Sequence, residues 1–301
     1  QPPGEQRRRL VGIALMLGAV ACFACLDASA KWVNRSTDPL QTAAVRYLGS
    51  FLASSLFLNP WSRAGILRTQ SLKLQAGRAL CLVFATICAF TALKHLRLTE
   101  VTSITFASPL VVALLARPLL GEHLGAHRLA AVLTGFAGVL VVTRPGVGGL
   151  HIAALFAVGA ACGNALYSIT TRLVAGRDSA ETTLFYTGLV GTAVFLPVLP
   201  LVWTWPTAPL TWLLLAALGT FGALGHWLLI LAHRRAPASV LAPFFYAQLL
   251  WATLLGLLVF GETPDRWTLV GGAIVMASGL YLVSRERARP PADATRGAQR
   301  S

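Results

Sequence analysis

The chain has 301 residues, 55% of them hydrophobic and 12% charged, with a mean hydropathy of +0.66. A soluble domain carries about 25% charged residues, so this composition excludes an ordinary soluble fold. The formal net charge of +14 does not point to nucleic acid, because the 25 basic residues punctuate apolar runs instead of interleaving with an exposed polar face.

Reading from one charge cluster to the next, the sequence predicts an all-α polytopic membrane protein with ten transmembrane helices. The spans are 10–33, 40–60, 77–94, 98–120, 128–144, 150–174, 182–203, 209–232, 237–260 and 267–284, each near the ~20 residues that cross a hydrocarbon layer. Residues 1–9 form an N-terminal tail, and 286–301, polar and Pro-rich, form a tail expected to be disordered. With the N-terminus cytoplasmic, 18 of the 25 basic residues label the cytoplasmic side, among them Arg7 to Arg9, Arg78, Arg234 and Arg235. That bias places both termini inside a bacterial-type inner membrane. Arg7 to Arg9 before an apolar run imitate a secretory signal, but the run contains Asp27 and ends in WVNRSTD, without a small-residue cleavage site.

In chain order, helix 1 carries Asp27 near its outer end and helix 2 carries Arg46 near its outer start. At 1.5 Å rise per residue both lie roughly 9 Å below the outer surface. Charges of opposite sign at one depth pair or face water. Three readings stand: a structural ion pair between Asp27 and Arg46, a substrate or proton-coupling role for Asp27, and a pair of Asp27 with Lys31 one turn on. Glu100 falls into a charge cluster with Lys94 and Arg97. Glu122 and Glu262 are expected to cap loops or bridge helices.

Near the midplane are Asn164 and Tyr167 on helix 6, His226 and Trp227 on helix 8, and Tyr246 and Gln248 on helix 9, the last two with counterparts in Phe106 and Ser108 on helix 4 at a shift of 140. Polar groups at that depth need partners or a water-filled cavity. They read either as inter-helix glue or as the lining of a substrate path. Pro109 in helix 4 and Pro243 in helix 9 are candidate gating kinks. Gly159, Gly163, Gly219, Gly222 and Gly225 read as close-packing positions.

A shift of 141 aligns Gly18 with Gly159, Ser29 with Thr170 and Lys31 with Arg172, and also Gly138 with Gly279 and Arg144 with Arg285. Gly121-Glu122 recurs as Gly261-Glu262 at a shift of 140, which also relates Phe106 and Ser108 to Tyr246 and Gln248. The chain therefore reads as two five-helix units, 10–144 and 150–285. Five is odd, so the second unit enters the membrane inverted, as in many secondary transporters.

The paired segments PLVVALLARPLLGEHLGAHRLAAVLTGFAGVLVV and AQLLWATLLGLLVFGETPDRWTLVGGAIVMASGLYLV resemble the drug/metabolite transporter superfamily in its ten-helix form with two EamA domains. The resemblance covers residues 10–285. It implies alternating access and a cavity among helices 3, 4, 8 and 9, which favours His226, Tyr246 and Gln248 as substrate contacts. It also implies export of amino acids, aromatic ones among them, or of related metabolites. The first-helix segment FACLDASAKWV is similar to members associated with uptake of S-adenosylmethionine or riboflavin.

Soluble-enzyme motifs are absent. The five cysteines all fall inside spans, HLGAH lacks the glutamate of a zinc-protease helix, and no phosphate loop surrounds Gly146, Gly148 and Gly149. The expectation is a non-enzyme without cofactor or metal, whose partners are a small-molecule substrate and the lipid bilayer. The sequence leaves the oligomeric state open, a monomer being the simplest case. A third reading, from another class, is a lipid scramblase.

Overall fold

The computed structural model describes residues 3–59, 64–120, 126–144, 152–174, 177–236 and 238–287. Among them there are thirteen α-helices, one short 3-10 turn (Ala64–Leu67) and no strand. In order the helices are α1 Pro3–Val33, α2 Pro39–Leu58, α3 Leu72–His95, α4 Leu98–Thr105, α5 Ser108–Leu120, α6 Ala126–Thr143 and α7 Ile152–Val174. There follow α8 Ala180–Phe195, α9 Leu199–Val202, α10 Pro209–Arg235, α11 Ala238–Phe245, α12 Ala247–Phe260 and α13 Arg266–Arg287.

Six stretches are long and apolar enough to cross a membrane: Gln6–Val33, Leu72–His95, Leu98–Leu115, Ile152–Val174, Pro209–Arg235 and Pro243–Phe260. The other four expected spans correspond to α2, α6, α8 with α9, and α13. Here the uninterrupted apolar stretch is shorter, as in Leu129–Thr143 and Arg266–Leu282, or is diluted by Gln41, Arg46 and serines, as in α2. Outward-facing Leu52, Phe57, Leu133, Leu201, Leu250 and Leu258 give the bundle the apolar exterior of a multi-pass membrane protein.

Local chemistry sets the ends. The carboxylate of Asp38 accepts from the Leu40 N–H at 2.8 Å and Pro39 fills N1, a pre-organised start for α2. Ser179 caps α8 in the same way through the Thr182 N–H. Gly261, with φ of 65°, ends α12 in the left-handed conformation.

Three expected helices are broken. Helix 4 divides into α4 and α5 at Phe106 and Ala107, and helix 9 into α11 and α12 at Tyr246. Helix 7 divides at residues 196–198, where Pro197 cannot donate to the ladder. Pro109 lies in the first turn of α5, where a missing N–H goes unnoticed, whereas α11 runs on through Pro243. The breaks thus fall beside the two prolines, not on them. Two ends also differ from expectation: α1 begins at Pro3, and α13 runs to Arg287, leaving 288–301 outside the described residues.

Helix α1 packs along α10, α3 along α7, and α6 along α13, while α2 wedges between α10 and α8. The α2–α10 crossing is a backbone contact: a Cβ on Gly219 would lie 2.5 Å from the Gly49 Cα, and the Ser50 hydroxyl donates to Gly219 O at 3.1 Å. At α3–α7, a Cβ on Gly163 would lie 2.9 Å from the Ala85 Cβ.

Candidate functional site

The packing of α1, α2, α3, α7 and α10 around the broken helices 4 and 9 leaves a cavity of about 360 Å³. It is lined by ten of the twelve residues singled out above: Asp27, Arg46, Phe106, Ser108, Pro109, Asn164, Tyr167, His226, Tyr246 and Gln248. The helix breaks explain one wall. Phe106 and Tyr246 occupy the two breaks, face each other with ring centroids 5.0 Å apart at 83°, and Phe245 stands 5.9 Å from Phe106. Edge-to-face contact suits the quadrupoles of these rings. On the opposite wall His226 meets Phe23 edge-on at 5.1 Å.

Two of the twelve lie elsewhere. Trp227 follows His226 by one residue, about 100° further round α10, and packs with Leu58, Ile66 and Phe185. Pro243 is exposed on the outer side of α11.

Asp27 and Arg46 face the same cavity without forming an ion pair, which corrects the first expectation for them. Gln248 Nε2 donates to Asp27 Oδ2 at 3.3 Å. Arg46 Nη1 donates to the Thr86 hydroxyl at 2.6 Å, and its guanidinium lies 4.9 Å from the Tyr47 ring centroid and 5.9 Å from that of Phe90. Arg46 Nε is buried without a partner. Tyr47 OH and Thr86 Oγ1 are 3.1 Å apart, and Thr86 donates to Leu82 O at 2.9 Å, which fixes the hydroxyl's orientation toward Arg46. The cavity therefore holds one carboxylate and one guanidinium that attract each other across it but are each hydrogen-bonded to a neutral partner only.

Lys31 does not pair with Asp27 either. Its ammonium meets Glu262 at 2.9 Å and donates to Leu96 O at 2.5 Å and Leu93 O at 3.3 Å. Glu262 also accepts from the Leu98 N–H at 3.2 Å, so it caps α4 from the far end of the chain. Glu100 accepts from the Arg97 N–H at 2.9 Å, the carboxylate half of a capping box, and Arg97 Nη1 donates to Thr263 O at 3.1 Å. Asn34 Nδ2 donates to Phe90 O at 2.9 Å, and Gln41 exchanges hydrogen bonds with Thr204. Together these close one end of the bundle. Glu122, expected to act like Glu262, lies outside the described residues.

At the other end a larger cleft of about 760 Å³ opens between α3, α7, α8 and α10, and it shares Tyr167 and His226 with the central cavity. Its deep end holds Arg78, which the sequence reading placed among the cytoplasmic charge labels. The structure buries it fully on α3. Thr86 was likewise overlooked. The signal available was a stripe: Gln75, Arg78, Leu82 and Thr86 recur at three- and four-residue intervals, one face of a helix. At the rim, Asp178 accepts from the Thr69 hydroxyl at 2.5 Å, the Gln70 N–H at 2.9 Å and Gln75 Nε2 at 2.8 Å. Burial acts to raise its pKa, but these hydrogen bonds outweigh it and hold the carboxyl below its ordinary range.

Comparison with known proteins adds the following. The sequence profile of the EamA-like transporter family matches residues 10–144 and again 151–285. The chain is 29% identical to a riboflavin transporter of Vibrio cholerae, over 92% of this chain and 94% of that one. It is 26% identical to an S-adenosylmethionine uptake transporter of Rickettsia bellii, with the same coverage of each. It is also 26% identical to the pseudopaline exporter CntI of Pseudomonas aeruginosa, over 90% and 95%. A solved crystal structure, 19% identical, superposes with a TM-score of 0.64 over 92% of this chain and 98% of that chain, a likeness of fold.

Proposed function

Because the chain belongs to the EamA-like transporter family of the drug/metabolite transporter superfamily, we propose that it is a secondary transporter that moves a small zwitterionic metabolite with a planar ring by alternating access. The observation that carries this is the central cavity. Asp27 and Arg46 face one cavity without touching, and two opposite charges held out of water but apart recover only part of their desolvation cost, which is several kcal/mol per ion. A cargo that brings its own ammonium and carboxylate supplies both counter-charges at once. The rings of Phe106, Phe245 and Tyr246 offer stacking surface for an apolar or aromatic remainder. A volume of about 360 Å³ sits at the small end of the ~300–1,000 Å³ usual for ligand sites.

Two inverted five-helix halves, 10–144 and 150–285, fit this reading. The packing of α1 on α10 is matched by α7 on α3, that of α1 on α11 and α12 by α7 on α4 and α5, and α6 meets α13 as its own counterpart. The arginine-rich end, with Arg7 to Arg9, Arg177, Arg234 and Arg235, is the cytoplasmic one by charge bias, so the cleft faces the cytoplasm and the Lys31–Glu262 end faces out.

Amino acids, aromatic ones among them, meet the description of the cargo, and export is the direction of first choice. A second reading, uptake of a cofactor-like metabolite, draws on the relatives named for S-adenosylmethionine and riboflavin. S-adenosylmethionine carries an amino-acid zwitterion that could meet Asp27 and Arg46; riboflavin does not. Proteoliposomes loaded from either side with labelled aromatic amino acids, S-adenosylmethionine or riboflavin separate these cargoes and directions by counterflow. We expect Asp27→Asn and Arg46→Gln each to lower exchange at least about tenfold, the loss of one charge-assisted contact, with folded protein retained. Full exchange by both variants, or scrambling of labelled lipid without solute exchange, removes the proposal.

A further inference from the structure

The larger cleft holds a cationic group for which the central cavity has no use. Arg78 is fully buried, and its hydrogen bonds run to neutral acceptors: Thr183 O at 2.6 Å, the Thr187 hydroxyl, and Gln75 Oε1 at 3.4 Å. The Tyr167 ring lies 4.9 Å from its guanidinium carbon, and Nη1 has no partner. The acidic residues of this end are engaged elsewhere, Asp178 with Thr69, Gln70 and Gln75, and Glu181 with Arg234. Among the described residues no carboxylate pairs with Arg78.

A guanidinium out of water without a counter-charge is an unstable arrangement unless something supplies one. Its planar fork matches the oxygens of a carboxylate or phosphate in a way an ammonium cannot. Arg78 lines the cleft, while Tyr167, His226 and Leu229 line both the cleft and the cavity of Arg46. His233 and Arg234 line the same cleft nearer its mouth. A solute entering here meets one guanidinium, passes Tyr167 and His226, and meets a second.

We propose that Arg78 is an oxyanion-recognition site, which takes the carboxylate or phosphate group of the cargo from the arginine-rich side before that group reaches Arg46. The assignment to cargo rests on the transporter reading above; the oxyanion site itself does not. An anionic lipid headgroup has the same chemistry, and the test separates the two.

The full chain in a neutral detergent is unfolded thermally in sodium phosphate and in sodium chloride at matched ionic strength. Phosphate is expected to raise the midpoint saturably, since a ligand that binds the folded state stabilises it. In an Arg46→Gln background, where the second guanidinium is gone, the rise should persist, weaken with Arg78→Lys and vanish with Arg78→Gln. A rise that survives Arg78→Gln in the Arg46→Gln background, or no saturable rise in the unaltered chain, overturns the site. Should Arg78→Gln fail to fold, Leu184→Cys in an otherwise cysteine-free chain places a thiol in the same cleft. An anionic thiol reagent should then react about tenfold faster than a cationic one and be slowed by phosphate, because a cationic cleft concentrates anions; equal rates overturn the site. Adding phosphatidylglycerol to the micelles should leave the phosphate response in place. Its loss means that a headgroup occupies Arg78, and overturns the assignment to cargo. Transport losses in Asp27→Asn and Arg46→Gln are read separately, so the carrier reading can fail while the phosphate site stands.

Discussion

At one end of the bundle Lys31, 8% exposed, meets Glu262 and two backbone carbonyls, Arg35 is sandwiched between the rings of Trp32 and Phe260, and Asn34 and Gln41 tie α1 and α2 to distant segments. At the other end, Asp178 ties two loops together at the rim of a cleft of about 760 Å³, and Arg234 pairs with Glu181 half in solvent. Both ends use charged and polar contacts between distant parts of the chain, but one encloses them and the other leaves them around an opening. A shielded ion pair resists separation far more than a solvated one, so the closed end is held by its charges and the cleft end by weaker, water-exchangeable bonds. Under the proposed alternating access the closed end must give way, and Lys31–Glu262 is the contact there expected to resist it most.

Breaking that contact carries the largest expected effect. Glu262→Gln leaves the Lys31 ammonium shielded without its carboxylate and costs on the order of 2 kcal/mol, below the ~3–5 kcal/mol for fully buried pairs because Glu262 is partly exposed. A cysteine at Ser108, on the central cavity, should become more reactive to an impermeant reagent added from the closed side. The double variant Lys31→Met with Glu262→Gln should recover part of the lost stability, since no unpaired charge remains. Unchanged reactivity in Glu262→Gln erases the contrast between the ends.

Next comes packing between the ends. A side chain at Gly219 would meet the Gly49 backbone at 2.5 Å, so Gly219→Val must push α2 from α10 and is expected to cost about 1–3 kcal/mol. The midpoint of thermal unfolding should fall, while the ratio of reactivities at the two ends stays as it was. A selective opening of either end would show that the α2–α10 crossing, and not charge, distinguishes them.

Much of this was legible beforehand. Depth marks Asp27, Arg46, Tyr246 and Gln248, because polar groups in the middle of apolar runs need a cavity or a partner, and the 140-residue shift adds Phe106 as the counterpart of Tyr246. Which partner each would take was not legible: Asp27 met Gln248 from 221 positions away and Lys31 met Glu262, contacts that local spacing cannot encode. Arg78 was lost for a related reason. Charge clusters mark helix ends in the sequence, so a buried arginine nearly two turns inside α3 reads there as a loop label. The helix breaks were half legible, since the prolines announced disruption but the backbone yielded at Phe106–Ala107 and Tyr246, where aromatic side chains pack across the breaks.

The smallest expected effect concerns pH and compares the carboxylates that latch the two ends. Asp178 at the cleft rim and Asp265, paired with Arg144 at the closed end, are both held below the ordinary carboxylate pKa; burial opposes this, and hydrogen bonds from Thr69, Gln70 and Gln75 in one case and Thr268 in the other overcome it. A depressed folded-state pKa means stabilisation present above the unfolded value, near 4, and lost as pH falls through the folded one. Thermal stability should therefore be insensitive to these two groups from pH 5 to 8 and decline only on the acid side. Both carboxylates lie near the surface, so each contribution stays within about 1 kcal/mol. Asp178→Asn should flatten part of the acid limb and raise the reactivity of a cysteine at Leu184 in the cleft, leaving that of Ser108→Cys from the closed side unaltered. Asp265→Asn should do the reverse. If both substitutions act on the same end, the two latches are not independent, and the closed and open ends move as one unit.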